Sequence, residues 1–376
     1  MKSPFLKSVF YVLIVTVICV LAFPPSASAI EPSPWPWMPK KLVLAMPVVP
    51  DNPRNSEGDF VILEDGTILF VYTHYYGDSG DDHASAHLMS RSSSDGGKTW
   101  TKEDKLDVEN EGGLNVMSVS LLRLDDGRVV MFYMVKDSPS DGRPYMRIRQ
   151  ADGTWGERRC LLDEVSYNVL NNDRVVQLAS GRILVPLARH TYLGGSLYNY
   201  DPNAKIFCLI SDDGGETWRE GGELEPTEGM IYQEPGLCEL ADGRILMYIR
   251  TDQHAQYFAF SEDGGETWSK PFKSCIDSPC APTLIKRIPG SDELLAVGNP
   301  WLPFEGENDR ATMTIERLTP DASKILVRKT MEHLERYVAP AWDYPTFCFP
   351  DDNTALVGYS CWPEGVHINI IKLSDL

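Results

Sequence analysis

The chain has 376 residues, with 35 Lys and Arg against 54 Asp and Glu, so its formal net charge is −19 at pH 7. This balance argues against a nucleic-acid-binding groove, because phosphate recognition needs clustered basic side chains and a strongly acidic chain repels polyanions. Hydrophobic residues make up 43% and charged residues 24% of the chain, a composition typical of a globular protein with a substantial core.

The N-terminal segment has the pattern of a secretory signal. Two lysines precede an uninterrupted apolar run at 10–23, and small residues follow at 27–29. A membrane anchor is the alternative, but a spanning helix needs roughly 17–25 apolar residues and this run is shorter. We therefore expect residues 1–29 to be cleaved, leaving a single secreted or periplasmic domain over 30–376 with no membrane span.

A sequence element with the pattern S-x-D-x-G-x-T-W recurs along the chain. Full copies span 93–100, 211–218 and 261–268, and weaker copies end at Trp155 and begin at Thr319. The Asp and Ser side chains of such an element bond nearby backbone amides, and its glycines allow positive φ. We therefore expect a structural turn between outer strands, with its Trp packed between neighbouring sheets, rather than a catalytic motif.

A second element, read as strand, tight turn and strand, alternates with the first. Its turns lie at 65–66, 126–127, 180–181 and 242–243, with degenerate copies at 289–294 and 350–356. Asp-Gly between apolar runs is a strong hairpin signal. The two elements together divide the chain into six units, each of about the length that four short strands need.

Six such units predict an all-β fold, a six-bladed β-propeller of four-stranded antiparallel blades around a central axis. A β-sandwich is the alternative, but a sandwich has no reason to repeat at this period.

The innermost strand of each propeller blade begins near the mouth of the central channel. Counting eight residues back from the turn positions reaches five polar or amphipathic residues, which are Glu57, Ser118, Asn172, Glu234 and Tyr344. A buried strand would carry Val or Leu there, so we interpret these residues as lining a polar pocket. The alternative is that strand starts are polar because they leave loops.

The Trp-bearing repeats, together with the stretch 234–250, resemble the sialidase (neuraminidase) family over about residues 50–372. The repeats alone are only moderately specific, since other propellers carry them, whereas the stretch 234–250 is more specific. In sialidases the corresponding strand pair holds a glutamate that acts as base toward a tyrosine nucleophile and an arginine that binds the sugar carboxylate. The resemblance implies these roles for Glu234 and Arg250.

Further segments match the family in order. Residues 308–318 are similar to the segment with another carboxylate-binding arginine, which implies Arg310, and residues 342–347 resemble the nucleophile segment, which implies Tyr344. The family's acid/base aspartate lies on a loop shortly before the first Trp-bearing repeat. This implies Asp82 for that role, with neighbouring Asp81 as the alternative or as a substrate contact.

One segment departs from the family's pattern. Sialidases usually have Arg-Ile-Pro before the first strand turn, whereas this chain has Arg54 followed by Asn-Ser and Glu57. Arg54 therefore either completes an arginine triad from a shifted backbone or leaves the triad incomplete. We expect Arg54, Glu57 and Asn172 to contact the substrate.

The implied chemistry agrees with the residue types. The anomeric carbon of sialic acid bears a carboxylate, which repels an anionic nucleophile but not a neutral phenol. Because a phenol has a pKa of about 10, Tyr344 needs Glu234 to accept its proton. Arginines match a carboxylate with two parallel donors and stay charged. We therefore expect an exo-α-sialidase that removes terminal sialic acid with retention, with Asp82 protonating the leaving oxygen and later activating water.

Two other functions stay open: a glycosidase or lyase acting on another acidic sugar, and a non-catalytic glycan-binding propeller. In each case the partner is a sialylated or other acidic-sugar glycan, and no cofactor is implied. No metal site is predicted, because His83 and His87 have no Glu between them and are interpreted as solvated loop residues. Cys275 and Cys280 flank a Pro-containing loop and either pair or pack as thiols.

Overall fold

The computed structural model describes residues 33–224, 227, 229–302, 310–334, 342–361 and 363–376. In this part of the chain the regular structure is β-strand, apart from one 3₁₀ turn at Leu373–Asp375. No helix within it is long and apolar enough to cross a bilayer. The predicted signal segment lies outside the described residues.

Four sheets have four antiparallel strands each, and a fifth sheet has nine strands. The first strands of the chain are β1 (Lys40–Met46), β2 (Asn55–Ile62), β3 (Ile68–Tyr75), β4 (Ala86–Ser93) and β5 (Lys105–Val108). The nine-stranded sheet follows with β6 (Asn115–Arg123), β7 (Val129–Ser138), β8 (Asp141–Ile148), β9 (Arg159–Cys160), β10 (Tyr167–Val169), β11 (Val176–Gln177), β12 (Ile183–His190), β13 (Lys205–Ser211) and β14 (Arg219–Glu220).

The later sheets follow in chain order. Two of them are β15 (Tyr232–Glu239), β16 (Ile245–Thr251), β17 (Tyr257–Ser261) and β18 (Phe272–Lys273), then β19 (Leu284–Arg287), β20 (Leu294–Gly298), β21 (Thr312–Leu318) and β22 (Ile325–His333). The last sheet is β23 (Trp342–Asp351), β24 (Thr354–Cys361) and β25 (Gly365–Lys372), completed by β1. The pairing of β1 with β25 brings the first strand of the chain against the last, which closes the ring of sheets.

The sheets pack around a common axis through their first strands. Strand β2 lies between β6 and β23, and β15 contacts both β12 and β19. Several hydrophobic clusters lie between neighbouring sheets, since their members come from strands of two adjacent sheets. The fold is therefore an all-β propeller, as the repeats predicted.

The sheets do not separate into the six four-stranded blades expected from the repeats. The second and third units form one nine-stranded sheet, because Tyr167 of β10 pairs in parallel with Gly142 of β8. A single bridging pair at the start of the third unit is enough to join the two ladders.

The Trp-bearing repeats form turns between outer strands, and their predicted structural role is confirmed. In the turn between β4 and β5, Asp95 Oδ1 accepts hydrogen bonds from the amides of Lys98 and Thr99 at 3.0 and 2.9 Å. Ser93 Oγ accepts one from the Gly97 amide at 2.9 Å. The equivalent bonds recur in the turns that begin at Ser211 and Ser261.

These turns also tie neighbouring units together. Trp218 packs edge-on against Phe132 of β7, with ring centroids 6.0 Å apart. Arg182, from the inner turn of the third unit, donates to the carbonyl oxygen of Gly264 in the fourth unit at 3.0 Å. The outer turns therefore fix both the hairpin and the contact with the next sheet.

Candidate active site

Four of the five residues found by counting back from the strand turns lie at bulges of the inner strands. The ladder register shifts at this point in β2, β6, β15 and β23. The residues there have positive φ: Glu57 (51°), Ser118 (59°), Glu234 (45°) and Tyr344 (48°). Such a conformation is rare for residues other than glycine, and a bulge redirects the side chain that it carries. The inner strands therefore hold four polar side chains in a strained, shared orientation.

The third unit departs from this pattern by one residue. Here the positive φ (57°) belongs to Asp173, not to Asn172. Asn172 is fully buried, and its amide donates to the carbonyl oxygens of Gly58 and Pro345 at 3.0 and 3.3 Å. The expectation that Asn172 contacts substrate is not supported by this position. Instead, it links three inner segments below the pocket.

A cavity of about 790 Å³ opens at the end of the inner strands. Seven of the nine residues proposed from the sequence line it, namely Arg54, Asp81, Asp82, Glu234, Arg250, Arg310 and Tyr344. An eighth, Glu57, lines a smaller cavity of about 90 Å³ that shares Asp82, Glu234 and Tyr344 with the large one. Residues that are distant in sequence therefore meet in one polar pocket.

Two half-buried arginines in this pocket are each held by a carboxylate. Arg250 Nη1 lies 2.8 Å from Glu234 Oε1, and Arg310 Nη1 lies 2.7 Å from Asp343 Oδ2. Burial opposes the charge on Arg250, but Glu234, Cys280 and Tyr344 together outweigh it, so the pKa of Arg250 is raised. Arg310 also donates to the carbonyl oxygen of Cys280 at 3.2 Å. The two guanidinium groups are thus fixed in place and remain charged.

Arg54 reaches the same pocket despite the change in its neighbouring sequence. Its Nη1 donates to Asp82 Oδ1 at 2.5 Å, and its Nη2 donates to Glu57 Oε1 at 3.0 Å. The guanidinium lies over the ring of Tyr75, 4.8 Å from the ring centre. The pocket therefore has three arginines: Arg54 and Arg310, which shortly precede strands β2 and β21, and Arg250 on β16.

Tyr344 lies in the pocket beside Glu234. Burial, followed by the negative charges of Glu234, Glu57 and Asp82, raises the pKa of the Tyr344 phenol well above its usual value. The Glu234 Oε2 atom is buried and has no hydrogen-bond partner in the described part of the chain. A protonated phenol therefore lies near a carboxylate oxygen that is free to accept its proton.

The two candidate acid/base aspartates differ in their surroundings. Partial desolvation opposes ionisation of Asp82, but Arg54 and Lys136 outweigh it and lower its pKa to about 2. Asp81 lines the same pocket, with no ion pair to any residue that the structure describes. Glu57 is 3% exposed, and burial raises its pKa to about 7 although Arg54 opposes this. Asp82 is therefore a carboxylate in this structure, whereas Glu57 is about half protonated at pH 7.

Sequence reasoning missed one wall of the pocket. It is formed by side chains from the loop between β12 and β13 and from its neighbours, and its members are His83, Tyr167, His190, Tyr198 and Tyr200. The interpretation of His83 as a solvated residue is wrong, because it is 8% exposed and stacks on Tyr198 at 4.8 Å. A signal was present in the sequence. The interval between the copy that ends at Trp155 and the copy that begins at Ser211 is the longest between the repeats, and it contains this loop.

A further missed residue is Asp343, which pairs with Arg310. It directly precedes Tyr344, inside the segment already quoted for the nucleophile. The seven cysteines of the described chain are free thiols, so Cys275 and Cys280 are not joined.

Comparison with known proteins places this arrangement in a family. The model of the BNR repeat-like domain matches residues 111–354, more than half of the chain. A sialidase from Clostridium perfringens is 25% identical over 236 residues, which cover 55% of this chain and 58% of that protein. An anhydrosialidase from Macrobdella decora is 32% identical over 90 residues, which cover 24% of this chain and 10% of that protein. The chain thus matches less than two thirds of the length of these relatives.

Solved structures share the fold at lower identity. A protein of unknown function from Dyadobacter fermentans has a TM-score of 0.70 at 18% identity, covering 89% of this chain and 99% of its own. A leech intramolecular trans-sialidase, complexed with 2,7-anhydro-Neu5Ac, has a TM-score of 0.70 at 14% identity, covering 90% of this chain and 71% of its own. The chain belongs to the BNR repeat-like domain family, and its relatives by sequence and by fold include sialidases.

Proposed function

We propose that this chain is an exo-α-sialidase, a retaining glycoside hydrolase that removes terminal sialic acid from glycans. The observation that carries the proposal is the meeting of Arg54, Arg250 and Arg310 with Tyr344 and Glu234 in one cavity. Three guanidinium groups, held in place by carboxylates of the pocket, offer paired donors that suit the carboxylate of an anionic sugar.

The proposed reaction begins with attack of the Tyr344 oxygen on the anomeric carbon. The phenolic proton passes to Glu234 Oε2, and the glycosidic bond breaks as Asp82 gives its proton to the leaving oxygen. Water then attacks the anomeric carbon of the tyrosyl adduct. Asp82 takes the proton of that water, and Glu234 returns its proton to Tyr344, so both acids end as they began and the configuration is retained.

The ion pair between Arg54 and Asp82 has a consequence for this scheme. Asp82 must carry a proton to act as the acid, whereas Arg54 keeps its pKa near 2. We infer that the substrate carboxylate draws Arg54 away from Asp82, because the guanidinium then faces a second anion. Loss of this partner raises the pKa of Asp82, which allows protonation only when an acidic sugar is bound.

The finer architecture and location are part of the same proposal. We propose that the nine-stranded sheet is two blades joined by one parallel pair, which with the four remaining sheets gives six blades. We also propose that segment 1–29 is cleaved, that residues 30–376 form a single domain, and that the protein is secreted or periplasmic. The chemistry above requires no cofactor.

The test is turnover of 4-methylumbelliferyl sialic acid by the purified mature chain and by Tyr344→Phe and Glu234→Gln. Matched controls are Tyr72→Phe, whose hydroxyl bonds Asp104 outside the pocket at 2.7 Å, and Glu223→Gln, which pairs with Lys205 on the surface. We expect release by the wild type and both controls, and collapse in the two pocket variants. No release from a folded wild type overturns the sialidase proposal.

The alternatives leave different results. A glycosidase or lyase acting on another acidic sugar would be favoured if Arg54 failed to reach the pocket, and Arg54 lies in it. A non-catalytic glycan-binding propeller predicts sugar binding by both the wild type and Tyr344→Phe, with turnover by neither.

A further inference from the structure

The tip of the β24–β25 hairpin carries three different metal-binding side chains at the rim of the pocket. Cys361 ends β24, Glu364 lies in the turn, and His367 lies on β25. The Sγ, carboxylate oxygen and imidazole nitrogen of these residues lie within 4.8 Å of one another. We propose that they bind a divalent cation, with Zn²⁺ as the preferred ion, a site that is independent of the proposed catalysis.

The hairpin register builds this cluster. Cys361 pairs with Gly365, and Tyr359 pairs with His367, so Cys361 and His367 are diagonal neighbours on the same face of the sheet. Gly365 has a φ of 108°, and a Cβ there would collide with the carbonyl oxygen of Met46 on β1. Because Gly365 has no side chain, no side chain stands opposite Cys361 in this register.

The distances fit a tetrahedral centre. Cys361 Sγ lies 3.5 Å from Glu364 Oε2, and His367 Nε2 lies 3.6 Å from the same oxygen. Zinc bonds to sulfur at about 2.3 Å and to nitrogen or oxygen at about 2.0–2.2 Å, so ligand atoms of a tetrahedral site are about 3.3–3.6 Å apart. Two edges of the site are therefore already formed. The third, between Cys361 and His367, needs to shorten by no more than about 1.3 Å on the same geometry.

The donor types decide which cation fits. Ca²⁺ and Mg²⁺ prefer oxygen ligands alone, whereas a thiolate with an imidazole favours Zn²⁺ and its transition-metal neighbours. Cys361 gives its thiol proton to solvent when the metal binds. Three protein ligands leave one tetrahedral position, and Cys361 and Gly365 both line the large cavity. The fourth position is therefore filled by water on the pocket side.

The environment supports a bound cation. Cys361 is 6% exposed and the His367 side chain 18% exposed, so two of the three ligands are held in packed surroundings, while Glu364 is 66% exposed and free to adjust. The His367 ring packs edge-on against Tyr359, with ring centroids 6.3 Å apart. This contact orients the imidazole toward Glu364.

The test is a titration of the purified mature chain with Co²⁺, which reports thiolate ligation through its charge-transfer absorption in the near ultraviolet. We expect one Co²⁺ per chain with this absorption in the wild type, and displacement by Zn²⁺, which binds such ligands more tightly. Cys361→Ser should abolish the absorption. His367→Gln should weaken Co²⁺ binding by more than about tenfold, since even partners of ligating residues contribute that much.

The matched control is Cys160→Ser, which removes another half-buried thiol on β9, far along the chain from the cluster. It should keep both the absorption and the affinity of the wild type. Urea unfolding of each variant without metal verifies that it is folded. The proposal is overturned by a folded wild type without thiolate absorption, or by absorption that persists in Cys361→Ser. Neither outcome depends on sialic acid turnover.

Discussion

The outer turns and the inner bulges of this propeller both occur repeatedly, yet they repeat in different ways. Each full outer turn has the same Ser, Asp, Thr and Trp; the Ser and Asp side chains bond the backbone of the turn, and the Thr hydroxyl bonds the Asp carboxylate. The four inner bulges share a backbone conformation but carry Glu, Ser, Glu and Tyr in turn. The outer turns repeat the same residue types. The inner bulges repeat only the position in the strand at which the bulge occurs.

The difference separates stabilisation from chemistry. An identical side chain in every unit meets a need that every unit has, which is to close a hairpin and contact the next sheet. Different side chains at one strained position meet a need of the whole ring, because Glu57, Ser118, Glu234 and Tyr344 all line one small cavity that adjoins the main pocket. Strain at a non-glycine residue persists where the surrounding structure holds it, and such residues cluster at active sites.

The strongest test of this difference between outer turns and inner bulges is a substitution at Tyr344. Tyr344→Phe keeps the ring that packs in the bulge but removes the attacking oxygen, so we expect kcat for 4-methylumbelliferyl sialic acid to fall by at least about a thousandfold. The unfolding midpoint in urea should stay close to that of the wild type. Turnover within tenfold of the wild type would show that the bulge position does not carry the nucleophile.

Substitution of each aspartate in the pocket loop tests which of the two is the acid. Asp82→Asn should lower kcat by about a hundredfold or more, because the leaving oxygen then lacks a proton donor. Asp81→Asn is the matched control and should stay within a few-fold of the wild type. Equal losses in the two variants, or a larger loss in Asp81→Asn, would assign the acid differently.

Glu57 links the inner bulges to pH-dependent stability. Its folded pKa of about 7 exceeds the usual 4.5, so its contribution to stability is complete below about pH 4.5 and is lost as the pH rises through 7. Glu57→Gln should remove about 2 kcal/mol of the fall in the free energy of unfolding between pH 5 and pH 8. Urea unfolding at the two pH values measures this.

A second buried carboxylate sets the baseline of that experiment. Glu316, paired with Arg328 away from the pocket, also has a pKa raised to about 7 by burial, so part of the pH dependence should remain in Glu57→Gln. An unchanged pH dependence in this variant would contradict the raised pKa of Glu57.

The arginines separate substrate binding from packing. Arg310→Lys keeps the charge but loses the two parallel donors, so we expect KM to rise by about tenfold with a smaller change in kcat. The control is Arg128→Lys in an outer contact, where Arg128 donates to the Gly214 carbonyl oxygen at 3.0 Å. A KM that rises equally in both variants would mean that Arg310 acts through structure alone.

The smallest effect is expected in an outer turn. Ser211 is 1% exposed, and its hydroxyl accepts a hydrogen bond from the Gly215 amide at 2.8 Å. Ser211→Ala leaves this amide without its partner, so the free energy of unfolding should fall by about 1–2 kcal/mol. Turnover per folded molecule should be unchanged. A selective loss of kcat would contradict the conclusion that the outer turns serve stability and only the inner bulges serve catalysis.

The sequence predicted the propeller and most of the pocket because both follow from repetition. Counting from the turns found Glu57, Ser118, Glu234 and Tyr344, since those units keep the same strand length between bulge and turn. It landed one residue early in the third unit, at Asn172, where the inner segment is not a continuous strand between β10 and β11.

The features that the sequence did not reveal lie outside the repeated elements. The aromatic wall with Tyr198 comes from a loop found in a single unit, and its contact with His83 joins residues more than a hundred positions apart. The Cys361 cluster depends on hairpin register, which spacing alone does not give. The merging of two units into one sheet depends on one pair, Tyr167 with Gly142.

The central claim is that Tyr344, held at positive φ in an inner bulge, forms a bond to the sugar. A fluorinated sialosyl donor, in which fluorine beside the anomeric carbon slows breakdown of the adduct, allows this bond to be trapped and located by peptide mass spectrometry. The account predicts one added sugar per chain, on the peptide that carries Tyr344, and none in Tyr344→Phe. A chain that turns over sialic acid but carries the label on Asp82 or Glu234, or carries no label, would contradict it.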